Sequence, residues 1–119
     1  GPRMILTGGE CRRLSQTFVG PLSRPVLERV QLDWAFMGSI GVSAASGLTT
    51  TDPNEAFTKE LAISRARQVA LLADSSKFGK SSFVRFGEFS SLSHLITDAA
   101  APADQIKALR RAGVTVLTV

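Results

Sequence analysis

The chain has 119 residues, enough for one domain with a real core and too few for two. Its 44% hydrophobic and 20% charged residues are those of a soluble globular protein, with no apolar run approaching a membrane span and no visible signal peptide. A formal charge of +4 raises nucleic-acid binding, but the basic residues stand in scattered pairs (Arg12-Arg13, Arg65 with Arg67, Arg110-Arg111) without aromatic interleaving, the pattern of a solvated surface.

Gly1-Pro2 reads as the scar of a cleaved tag, which leaves residues 3–119 as the domain; strand-like sequence follows at once, as if the chain began inside a longer natural protein. Residues 3–7 predict a short strand, closed by Gly8-Gly9. The lone Cys11 cannot form an intramolecular disulfide and has no evident activating partner, which fits an inert thiol in a reducing, cytoplasmic setting. After the Gly20-Pro21 turn, residues 21–30 fit a helix with Leu22, Val26, Leu27 and Val30 on one side. Residues 32–38 predict a sheet strand, apolar except for Asp33. The glycines and serines of residues 38–47 predict a loop.

The clearest start signal follows. Asp52-Pro53-Asn54-Glu55 supplies an N-cap carboxylate, a proline at the first helical position and a glutamate three residues after the cap. This helix should run to about residue 66, with Phe57 and Leu61 toward the sheet and Glu55 one turn before Lys59, placed to pair with it. Val69-Ala70-Leu71-Leu72-Ala73 then runs without alternation, as a central strand of a parallel sheet does, and stops at Asp74-Ser75-Ser76-Lys77. Residues 82–89 predict a less buried strand, residues 94–97 a strand ending at Asp98, residues 101–112 a helix stopped by Gly113, and residues 114–119 a last strand. The order describes an α/β domain with a mainly parallel sheet flanked by helices.

Ligands in such sheets sit outside the carboxyl ends of the strands, so Asp33, Asp74 and Asp98 need explaining. Gly47-Leu48-Thr49-Thr50-Thr51-Asp52 reads as a loop presenting N–H groups and hydroxyls near a helix start, where anions are favoured. Together with Lys59 and Lys77 these groups suit a small polyol phosphate: carboxylates for hydroxyls, lysines and N–H groups for phosphate. The ordinary alternative is a polar loop, a helix cap and surface lysines. The binding reading requires Asp33, Lys59, Asp74 and Lys77 to share one rim. No nucleophilic catalytic set, metal-ligand cluster or cofactor motif is present; His94, Trp34 and Phe36 read as structural.

Leu6-Thr7-Gly8-Gly9-Glu10, Val19-Gly20, Asp33-Trp34-Ala35-Phe36-Met37-Gly38, Gly47-Leu48-Thr49, Asn54-Glu55-Ala56, Lys59, Ala73-Asp74-Ser75-Ser76-Lys77-Phe78-Gly79 and Ile96-Thr97-Asp98 follow one another in order. The series resembles the C-terminal sensor domain of DeoR-type bacterial transcriptional repressors. That resemblance implies a fold like that of ribose-5-phosphate isomerase, incomplete here at its N-terminal side. It also implies a non-enzymatic domain of a sugar-metabolism repressor that senses a phosphorylated sugar or related metabolite. Operator DNA would be read only through an N-terminal helix-turn-helix domain absent from this sequence, in a homo-oligomer with no membrane association. By position, Asp33, Lys59, Asp74 and Lys77 would lie at or near the effector pocket, with Thr49, Asn54 and Glu55 as further candidates. The family's early glycine- and threonine-containing phosphate loop would fall upstream of Arg3, and its absence would leave a sheet edge uncovered. Two other classes stand beside the sensor: an isomerase-like enzyme using Asp33 or Asp74 as base, and an oligomerisation module without ligand.

Overall fold

The computed structural model describes residues 1–119 and places the chain's elements in three sheets. Residues 3–7 are not a strand: Met4, Ile5 and Leu6 are exposed, and the segment joins no ladder. Strand-forming residues alone do not make a strand; the backbone groups need a partner. The first pairing is instead the antiparallel hairpin of β1 (Glu10–Arg12) and β2 (Thr17–Val19). The helix expected over residues 21–30 is reduced to a 3-10 turn (Pro21–Ser23) and the single-turn α1 (Arg24–Leu27), which buries Leu27 and leaves Leu22 exposed.

The main sheet is formed by β3 (Leu32–Met37), β6 (Ala66–Leu72), β8 (His94–Thr97) and β9 (Thr115–Thr118), in that spatial order and parallel throughout. Two longer helices supply crossovers: α2 (Pro53–Arg65) precedes β6, and α3 (Ala103–Arg111) precedes β9. The start of α2 is built as its sequence predicts, with Asp52 accepting the Glu55 N–H at 2.9 Å. No helix is long and apolar enough to cross a membrane.

The glycine-rich stretches read as loops contain two strands. β4 (Gly41–Ser43), β5 (Gly47–Thr50) and β7 (Val84–Gly87) make a small antiparallel sheet, β5 in the middle. Gly41 permits it: a Cβ there would lie 2.4 Å from both the Lys80 carbonyl oxygen and Thr49 Oγ1. The core lies between this small sheet, α2, α3 and one face of the main sheet. Ala35, Val69, Leu71 and Leu95 from that face meet Val42, Leu48, Ala56, Phe86 and Leu109 in one cluster.

Candidate functional site

Gly38, Asp74 and Asp98 each follow the carboxyl end of a main-sheet strand: β3, β6 and β8 respectively. The parallel register therefore brings these three positions to one rim. Lys59 reaches the rim from α2, donating from Nζ to the Gly38 carbonyl at 2.8 Å and lying 4.9 Å from the centre of the Phe86 ring. Burial lowers its pKa below the ordinary 10.5, opposed by the nearby negative charge of Glu55. A cation thus sits half-buried at the end of β3.

At the end of β6 the chain makes a 3-10 turn (Ser75–Lys77). Asp74 accepts from the Ser76 hydroxyl and, at 2.8 Å, from the Ser76 N–H; these bonds hold its carboxyl below the usual 3.8. Lys77 closes the turn, its N–H donating to the Asp74 carbonyl at 3.1 Å. Asp98 accepts the N–H groups of Ser75 at 2.8 Å and Ala100 at 2.9 Å, which likewise depress its pKa. Asp98 therefore latches the loop after β6 to the loop after β8. A depression of about 290 Å³ lies beside them, lined by Leu72, Asp74, Ile96, Thr97, Asp98 and Val119 among others. The buried Thr97 hydroxyl beneath it has no hydrogen-bond partner.

Asp33 does not join this rim, contrary to expectation. It sits near the amino end of β3 and pairs with Arg67 at 3.6 Å, both side chains largely exposed. Arg67 and Asp74 are seven positions apart along and just past β6, about 20 Å at strand rise. The reason is placement within the strand: Asp33 is the second residue of its strand, whereas Asp74 follows the last. Lys59, Asp74 and Lys77 belong to elements that meet at the carboxyl ends; Asp33 belongs to the opposite end.

The weaker candidates are engaged internally. Thr49 is buried in β5, its hydroxyl accepting the Ser82 N–H at 2.9 Å, so this stretch offers no free loop of donors. Asn54 is exposed in the first turn of α2, and its carbonyl accepts the Gly20 N–H at 3.2 Å. Glu55 is buried and does not form the expected ion pair with Lys59. Its carboxylate accepts from Thr17 at 3.2 Å and Thr50 at 3.4 Å and lies 3.5 Å from the Arg12 guanidinium. It ties the β1–β2 hairpin to α2. Arg12, which also approaches Asp52 at 3.8 Å, carried no signal in the sequence, because its partners lie some forty residues away. Gly38 was legible only as a strand terminator; its role as the acceptor for Lys59 required the fold.

Fold and rim define an α/β domain whose parallel strands end in carboxylates and a lysine-bearing turn. The family model described as the DeoR C-terminal sensor domain matches residues 1–99. The chain belongs to this family. It is 41% identical over 112 residues to the HTH-type transcriptional regulator GlpR of Haloferax volcanii, covering 94% of this chain and 44% of that protein. Identity to the lactose phosphotransferase system repressor of Streptococcus mutans is 40% over 96 residues, covering 81% of this chain and 38% of that protein. To the glycerol-3-phosphate regulon repressor of Escherichia coli it is 32% over 107 residues, or 90% and 42% of the two chains. The chain thus spans less than half the length of these curated relatives, all transcriptional regulators by name.

Proposed function

We propose that the chain is part of the effector-sensing unit of a sugar-metabolism transcriptional repressor, and that its effector is a phosphorylated sugar or closely related metabolite. The observation that carries this reading is the charged rim at the carboxyl ends of β3 and β6, where Lys59 and the Asp74–Lys77 turn stand in a sheet type that binds ligands at that edge. The names of the glycerol-3-phosphate and lactose phosphotransferase relatives support the substrate class. In this reading Lys77 and Lys59 attract phosphate, Asp74 accepts from sugar hydroxyls, and Thr49, Asn54 and Glu55 hold the supporting structure. Asp33 has no part in the contact from its present position.

The full protein would be a cytoplasmic homo-oligomer that contacts operator DNA through a separate helix-turn-helix domain, with effector binding shifting the equilibrium between operator-binding and released states. Such coupling is commonly about 1–3 kcal/mol and requires different effector contacts in the two states. An isomerase-like activity has less support: Asp33 stands at the far end of the sheet, and the Asp74 carboxylate is already held by Ser76. Calorimetric titration of the full-length natural protein with a panel of sugar phosphates is the test. A binder whose addition weakens or strengthens operator binding is the expected result; no heat from any of them at millimolar concentration would overturn it.

A further inference from the structure

Each backbone N–H of the turn after β6 has an identifiable acceptor. Ser76 donates to the Asp74 carboxylate at 2.8 Å, Lys77 to the Asp74 carbonyl at 3.1 Å and Phe78 to the Ser75 carbonyl at 3.3 Å. These acceptors all belong to the turn itself. The N–H of Ser75, its first residue, has none there, as is usual at the start of a helical turn. Its acceptor is the Asp98 carboxylate, 2.8 Å away and delivered by a different strand, β8. With that bond made, an anion arriving at this turn meets the Lys77 ammonium rather than backbone donors.

Charge alone does not explain a carboxylate in this place. The Ser76 bonds hold the Asp74 carboxyl down against the nearby charge of Asp98, which opposes its ionisation, and both carboxylates disfavour an anion at Lys77. What Asp98 gains is hydrogen bonding: the Ser75 N–H foremost, then that of Ala100, hold its carboxyl below the usual 3.8. A three-residue turn has little stability of its own. At its far end this one is fixed to the small sheet, where Phe78 bridges to Val42 and the Gly79 N–H donates to the Val42 carbonyl at 2.9 Å. At its near end, past the last ladder bond from Ala73 to the Ile96 carbonyl, the tie is Asp98. Lys77 lies between the two anchors, and its direction depends on both.

We propose that Asp98 is a positioning residue of the effector site: from the neighbouring strand it holds the Asp74–Lys77 turn so that the Lys77 ammonium is presented to a phosphate, without touching the effector itself. This role rests on the sensor reading given above. The sign of its effect separates it from mere proximity. A carboxylate that only neighbours a bound anion repels it, so its removal strengthens anion binding. A carboxylate that positions the binding cation does the opposite. Asp98 also acts through a single donor of the turn, so deleting the Ser75 N–H should cost as much affinity as altering the acceptor.

Titration of inorganic phosphate, read by its phosphorus NMR linewidth, into variants of the full-length natural protein tests this. Lys77→Ala measures the binding owed to Lys77 itself. Asp98→Asn keeps the size of the side chain and turns one acceptor into a donor. Ser75→Pro removes the N–H at a first helical position, where a proline ring is tolerated and the preceding Asp74 is already extended, at φ −73° and ψ 168°. Asp98→Asn and Ser75→Pro should each weaken the Lys77-dependent binding several-fold and speed hydrogen exchange of residues 75–78. The double variant should be no worse than either single one, and Ser75→Ala, which keeps the N–H, should lose less than Ser75→Pro. Unchanged or tighter phosphate binding by Asp98→Asn, with Lys77→Ala still weakening it, would overturn the proposal alone. So would weakening by Asp98→Asn with Ser75→Pro unaffected, the mark of direct contact. Phosphate binding indifferent to Lys77→Ala would instead strike the sensor reading of Lys77, and the positioning role with it.

Discussion

Lys77 and Asp98 stand at the same rim and have opposite relations to the fold. The Lys77 side chain makes no ion pair within 4 Å, although it closes a turn anchored on Asp74. A cation held there without a partner is available to an anionic ligand. Lys77→Ala should weaken sugar-phosphate affinity by about 1.5–3 kcal/mol, the worth of a charge-assisted hydrogen bond, or roughly tenfold to a hundredfold in Kd; isothermal titration of the full-length protein checks it, and an unchanged Kd would remove Lys77 from the site. Asp98 is satisfied inside the protein by the Ser75 and Ala100 N–H groups. Its pKa in the folded state is lowered from 3.8, so its stabilising contribution is full above that unfolded-state value and is lost as pH falls through the folded one. Asp98→Asn should therefore show a shallower loss of stability than the wild type below about pH 4, measured by urea denaturation across the acid range. In sequence both residues are simply polar groups after an apolar run. Which of them is already spent depends on where Ser75 lies, and that is set by the pairing of β6 with β8.

At the scale of elements, the legible parts were those whose causes are local. The cap of α2 lies within four consecutive residues, and the apolar run of β6 announces a central strand of a parallel sheet, so both elements appear close to where they were expected. What could not be read were pairings between segments far apart. The Gly47–Thr50 strand has only a glycine and two threonines around one leucine, and it becomes a central strand because β4 and β7 both pair with it. The reverse happened to residues 3–7, apolar enough for a strand but without a partner. Gly41 is where this long-range dependence can be tested. A methyl group there would meet both the backbone of Lys80 and the Thr49 hydroxyl, which the Ser82 N–H holds in place. Gly41→Ala should destabilise the chain by about 1–3 kcal/mol through overpacking, whereas Gly79→Ala, with no atom within 4 Å of its Cβ position but φ at +75°, is strained by its own backbone conformation alone. Comparing the urea midpoints of the two separates crowding from backbone strain.

For the whole molecule, a core on only one face of the main sheet has an energetic consequence that two residues measure against each other. Leu95 and Phe36 sit in the same four-stranded sheet, one on each face. Leu95 is fully buried among the side chains that join the sheet to α3 and the small sheet. Its replacement by alanine leaves a cavity as well as losing apolar contact, and should cost about 2–5 kcal/mol. Phe36 is the larger side chain and would cost about 3–5 kcal/mol to truncate in a closed core. In this chain it touches chiefly Trp34 on an open surface. Phe36→Ala should then cost less than about 1 kcal/mol, the scale of one aromatic stacking contact. Urea denaturation of the two variants in the 119-residue chain checks the contrast. If Phe36→Ala proved as damaging as Leu95→Ala, the sheet would have to be covered on both faces within these residues, and the one-sided core would be wrong.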